Sequence, residues 1–130
     1  MTLRITPTKV EDEEYGIWTE YYGIKLRIAR STNTKFKKEF RRLTKPYQKE
    51  IDEDRMQEEK SSAILAEAMA KAILVDWKDF VVNGKEVEYS IANAIDLLTN
   101  DEDCRTFVSN FAGEIDNYII EEMEKVSGEA

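Results

Sequence analysis

The stretch from Ile73 to Leu98 constrains the fold more than any other part of the chain. An apolar run, Ile73-Leu74-Val75, reads as the tail of a helix and leads into Trp77-Lys78-Asp79-Phe80-Val81-Val82. Asn83-Gly84 separates this segment from Lys85-Glu86-Val87-Glu88-Tyr89. Asn-Gly between short apolar runs is the strongest local signal for a two-residue hairpin turn, because both central residues take positive φ. Ser90 precedes Ile91-Ala92-Asn93-Ala94-Ile95-Asp96-Leu97-Leu98 and can cap the free N–H groups of that helix. Helix, small hairpin, capped helix is the expected order.

Upstream, Ile17-Trp18-Thr19-Glu20-Tyr21-Tyr22 and Ile24-Lys25-Leu26-Arg27-Ile28 flank Gly23. The second run alternates apolar and basic residues, which marks a half-buried strand, and the turn takes in Tyr22 with Gly23. Ser31-Thr32-Asn33 offers caps for a helix over about Thr34 to Leu43. Phe36, Phe40 and Leu43 lie on one stripe of it and read as core. Pro46 ends or restarts that helix. Tyr47 and Ile51 continue a polar helical stretch to Glu59, with the break at Lys60-Ser61-Ser62, although one continuous helix also satisfies the pattern.

Ala63 to Val75 is apolar nearly all round and predicts a central, buried helix. Asn100-Asp101 caps a last long helix carrying Phe107, Phe111, Ile115 and Tyr118 or Ile119 at helical spacing. Glu121, Glu122 and Glu124 oppose the helix dipole at its end, which should fray. The expected fold is α+β and mainly α: an N-terminal β-hairpin followed by four to five helices, with an internal mini-hairpin. We expect a single globular domain over residues 15–126, between a flexible arm (1–14) and a flexible tail (127–130).

The chain has 130 residues, no histidine and one cysteine, Cys104. Without histidine, serine and cysteine triads in their usual form and most zinc sites are excluded. A single cysteine forms no internal disulfide, which fits a reducing cytoplasm. We find no signal-peptide pattern and no window approaching a membrane span, and so expect no membrane partner. Charge is uneven: residues 1–60 carry 14 Lys or Arg against 12 Asp or Glu, residues 61–130 only 5 against 15. The first part nets +2 and the second −10, within a whole-chain net of −8.

From Arg27 to Lys49 there are nine Lys or Arg and one Glu, Glu39. The aromatic-basic interleaving of single-strand platforms is missing, so we expect a solvated or protein-docking face and no nucleic acid. Glu11 to Glu14, Asp52-Glu53-Asp54 and Asp101-Glu102-Asp103 lack the glycine and the distal glutamate of a calcium loop. Asp101 to Asp103 read instead as an N-cap with first-turn carboxylates. Cys104, in that first turn, could have a lowered pKa, though no base partner lies nearby and an incidental thiol is the expectation. Trp77, beside a turn, reads either as a hinge packed on the core with its N–H on a carbonyl, or as part of an exposed binding surface.

Asp76, Trp77, Phe80, Asn83, Gly84, Tyr89, Ser90, Asn93, Ala94, Leu97 and Leu98 form an arrangement that resembles the tail assembly chaperones of long-tailed bacteriophages. Gly16-Ile17-Trp18 entering a strand pair, and the basic helix from Asn33 to Pro46, fit as well. The resemblance covers roughly residues 15 to 125 and lies in packing motifs. It implies a non-catalytic protein without cofactor or metal that binds the tape measure protein, and with it the tail tube protein, and keeps apolar segments soluble during assembly. Self-association is open. Trp77, Phe80, Tyr89, Phe107 and Phe111 are the candidate partner-binding residues. The alternative is a small acidic phage-encoded regulator or inhibitor of a host protein. An enzyme using paired carboxylates such as Asp76 and Asp79 is the reading the residues least support.

Overall fold

Strands β1 (Ile17–Tyr21) and β2 (Ile24–Ile28) turn back on each other through Tyr22 and Gly23, whose φ values are 48° and 84°. Two left-handed residues in succession match the right-handed twist of the flanking strands. The computed structural model describes residues 14–118. The hairpin pairs from Ile17 opposite Ile28 to Tyr21 opposite Ile24. Strand β3 (Leu74–Lys78) adds antiparallel to the other edge of β2, with Leu26 opposite Trp77 and Ile28 opposite Leu74. An irregularity between Arg27 and Ile28 shifts that register by one residue.

Helix α1 (Thr34–Thr44) begins where the Asn33 side chain accepts from the Phe36 N–H. A 3-10 turn over Lys45–Tyr47, with Pro46 in its first turn, redirects the chain into the short helix α2 (Gln48–Asp52). Helix α3 (Glu58–Ala72) crosses the core and leads into β3. The mini-hairpin β4 (Val81–Val82) and β5 (Lys85–Glu86) folds about Asn83 and Gly84, at φ 52° and 77°. Ser90 caps helix α4 (Ile91–Asn100) and Asp101 caps helix α5 (Glu102–Gly113), each through a side-chain oxygen at 3.0 Å. The α+β, mainly helical class with an N-terminal hairpin holds.

Three expectations fail, each for a tertiary reason. Leu74 and Val75 are not a helical tail: α3 stops at Ala72, and Leu74–Lys78 is a strand. The Ala72 and Ile73 carbonyls accept from the Asn33 side chain and the Ala29 N–H, so the β2–α1 corner ends the helix and hands the chain to the sheet. The helix break lies at Glu53 to Gln57, not at Lys60-Ser61-Ser62, which sit inside α3. Asp54, at φ 54°, closes α2, and Glu58 and Glu59 suit the positive N-terminus of α3. The last helix is short: Glu114 is extended and a 3-10 turn spans Ile115–Tyr118. Asn117 donates to the Phe111 carbonyl, and the buried Tyr118 hydroxyl donates to the Ile28 carbonyl at 2.9 Å. Of the expected arm over residues 1–14 all but Glu14, and with it the end of that helix and the tail over 127–130, lie outside the described residues.

The core joins Leu26 and Ile28 of β2 to Ala66, Met69 and Ala70 of α3, Leu74 and Trp77 of β3, Leu98 of α4 and Val108 of α5. Alanines at 66, 68, 70 and 72 are all buried, and side chains this small let neighbouring elements approach α3 closely. On the opposite face of the sheet, the Arg27 guanidinium stacks 3.9 Å over the Tyr15 ring, and Lys78 lies 4.5 Å over Trp18. Gly16 begins the hairpin at φ 103°, where an added Cβ would meet the Ile28 carbonyl carbon at 3.1 Å and Ala29 N at 3.2 Å. Gly16→Ala should therefore cost about 1–3 kcal/mol of folding free energy. Urea titration checks this; an unchanged midpoint would contradict the close approach.

Candidate functional site

An open apolar groove runs along α1 and between it, α2 and the start of α3. Phe36 and Phe40 are one helical turn apart, their ring centroids separated by 6.0 Å. Thr44 follows one turn later, its hydroxyl donating to the Phe40 carbonyl. The turn at Pro46 then brings Ile51 and Met56 round to face Phe40, and Ile64 of α3 completes the apolar lining. The deeper part holds about 360 Å³ and is lined by Phe40, Thr44, Gln48, Ile51, Met56, Ser61 and Ile64. A shallower part of about 370 Å³ continues it through Phe40 and Thr44 to Phe36, Lys37, Arg41 and Ser31. Phe40 is 40% exposed and Ile51 37%. The Phe36–Phe40 stripe is thus only partly core: α1 contains no fully buried residue, and Phe36 alone of that pair packs on the central cluster.

The charges of α1 divide by face. Toward α3, Arg42 meets Glu39 at 2.8 Å and Glu67 at 3.7 Å, while Lys71 meets Glu67 at 2.9 Å and Glu39 at 3.8 Å. The hydrogen bond from Arg42 holds the Glu39 carboxyl below the usual carboxylate range. Toward the groove, Lys37 and Arg41 have no ion-pair partner among the described residues. Exposed pairs of this kind add little to stability. Their effect is to leave a positive rim on one side of an apolar floor.

None of the five candidate partner-binding residues read from sequence lines this groove. Trp77, Phe80 and Tyr89 do come together: the indole lies 5.1 Å from each of the other two rings. Trp77 is 5% exposed and its Nε1–H donates to the Val87 carbonyl at 2.8 Å, so it packs as a hinge. Tyr89 donates to the Leu74 carbonyl at 2.9 Å, and burial raises its pKa. Phe107 and Phe111 form a separate half-buried group with Tyr21 and Tyr118. Sequence reading placed Ile51 on a polar helical stretch and did not join it, Met56 or Ile64 to Phe40, because the four meet only through the turn at Pro46 and the break at Glu53 to Gln57.

The groove offers an apolar floor with a positive rim on one side. Among the described residues no group of three or more His, Cys, Asp or Glu side chains is placed to hold a metal ion. Among them, too, no helix is long and apolar enough to cross a membrane. Cys104 is buried and its thiol is pushed up to about 11, by desolvation first and the Asp101 charge second. That corrects any expectation of a lowered pKa at this helix start: burial outweighs the dipole. A folded-state thiol pKa above its ordinary value of 9.0 means the unfolded chain sheds this proton first. Its contribution is therefore full below about pH 9 and is lost as pH rises toward 11. Urea titrations across that window should show a shallower decline for Cys104→Ala than for the parent; identical slopes would contradict the shift.

Residues 31–129, most of the chain and all of the groove, match the family model described as YdaY prophage protein. No curated protein and no solved structure matches the chain. The phage origin implied by the sequence resemblance follows from this match. The chain belongs to the YdaY prophage protein family.

Proposed function

We propose that this protein is a tail assembly chaperone of a long-tailed phage. It acts by binding, without catalysis or cofactor, in the host cell cytoplasm. Its clients are the tape measure protein and the tail tube protein, whose apolar segments it keeps soluble until the tube polymerises, after which it is left out of the virion. The observation that supports this best is the open groove floored by Phe40, Ile51, Met56 and Ile64. A protein that shields helical apolar segments needs such a concave apolar surface on a rigid frame, and helix-in-groove docking is the corresponding mode. Phage family membership and the net charge of −8, which would keep a loaded complex dispersed, support the same reading.

Co-expression with the tape measure protein of the same phage tests it. The client should move from the insoluble to the soluble fraction and co-purify with this chain, and Phe40→Glu should abolish both effects. A tape measure protein that stays insoluble would contradict the proposal and favour a small acidic inhibitor of a host protein.

A further inference from the structure

We propose that the groove along α1 selects an amphipathic helix whose apolar stripe is flanked by carboxylates, and that Lys37 and Arg41 make the selection. The inference rests on reading this groove as the client site and adds the chemistry of the client. Shape comes first. The two connected depressions follow α1, whose 11 residues extend about 16 Å. That length takes apolar side chains at positions i, i+3 or i+4, and i+7 of a docked helix, and the partly exposed Phe40 and Ile51 are its contacts.

Charge then decides which helix. Lys37 and Arg41 line the shallower depression, the deeper one is lined by no charged side chain, and neither lining contains Asp or Glu. Arg42 and Lys71 are already engaged by Glu39 and Glu67 on the far side of α1, whereas Lys37 and Arg41 have no ionic partner among the described residues. The second half of the chain is acidic, with residues 61–130 at a net of −10. An acidic helix is therefore attracted to the basic region around α1 and repelled by residues 61–130, and the apolar floor beside Lys37 and Arg41 fixes where within that region it lands. A lysine-flanked helix with the same stripe meets like charge at the rim instead.

Fluorescence anisotropy with the full-length protein and two labelled synthetic helical peptides tests this. Both peptides carry leucines at i, i+3, i+4 and i+7; one is flanked by glutamates, the other by lysines. The glutamate peptide should bind about tenfold tighter, the margin expected of two partly exposed charge contacts, and the margin should shrink with added salt. Lys37→Glu with Arg41→Glu should reverse the preference, and Phe40→Glu should abolish binding of both peptides. These side chains are exposed, so circular dichroism and melting temperature should stay near the parent's. Equal binding of the two peptides, or a preference unchanged in the double variant, would overturn the proposal. So would a dimer of the free protein that Phe40→Glu converts to monomer, because the occupant would then be a second copy. Failure with the peptides while the tape measure protein is still solubilised sinks this inference alone; the solubility result judges the chaperone reading by itself.

Discussion

Asn33 ties together the elements that build the groove. It is the one buried polar side chain among the described residues, 3% exposed, and it sits where β2 ends, α1 begins and α3 stops. Its amide donates to the Arg30 and Ala72 carbonyls and its oxygen accepts from the Phe36 N–H. A buried amide without partners would cost several kcal/mol, roughly 2–7 by transfer measures, so the site accepts one arrangement of three elements. The Ala29 N–H bonded to the Ile73 carbonyl secures the same corner. With its start clamped to the end of α3, α1 cannot rotate freely. Phe36 turns to the core and Phe40 to the groove.

The two sides of the molecule are therefore built differently. On the core side of the sheet Trp77 and Tyr89 donate to backbone carbonyls, as does Tyr118 on the Ile28 carbonyl, whereas Tyr15, Trp18 and Tyr22 stay exposed on its other side and in its turn. Buried aromatic donors satisfied in this way stiffen a core. Around α1 the apolar groups are half-covered, and Lys37 and Arg41 beside them have no ion-pair partner among the described residues. A surface that keeps exposed apolar area next to unneutralised charge, on a frame fixed by a buried amide, has the character of a docking face.

Local chemistry made much of this legible in the sequence. Tyr22-Gly23 and Asn83-Gly84 were readable because a two-residue hairpin turn demands positive φ at both positions. Ser90 and Asp101 were readable because helix starts need a side-chain acceptor. Strand β3 was not, since Leu74 and Val75 extend an apolar run with no period of its own. Only the partner strand and the Asn33 corner make it extended. The grouping of Trp77, Phe80 and Tyr89 was visible as one motif, but its burial depended on contacts the motif does not contain. The groove was hidden for the same reason: Phe40, Ile51, Met56 and Ile64 meet only after the chain reverses at Pro46 and breaks at Glu53 to Gln57.

Amide hydrogen exchange on the complex with the tape measure protein, compared with the free protein, tests the central claim most directly: that the surface built on α1 is where this molecule meets its client. The account predicts new protection concentrated in Phe36 to Thr44, Gln48 to Ile51 and the first two turns of α3, with the Trp77 to Tyr89 segment unchanged. Protection gathered instead at Trp77 to Tyr89 or along α5, with α1 exchanging as freely as before, would contradict it.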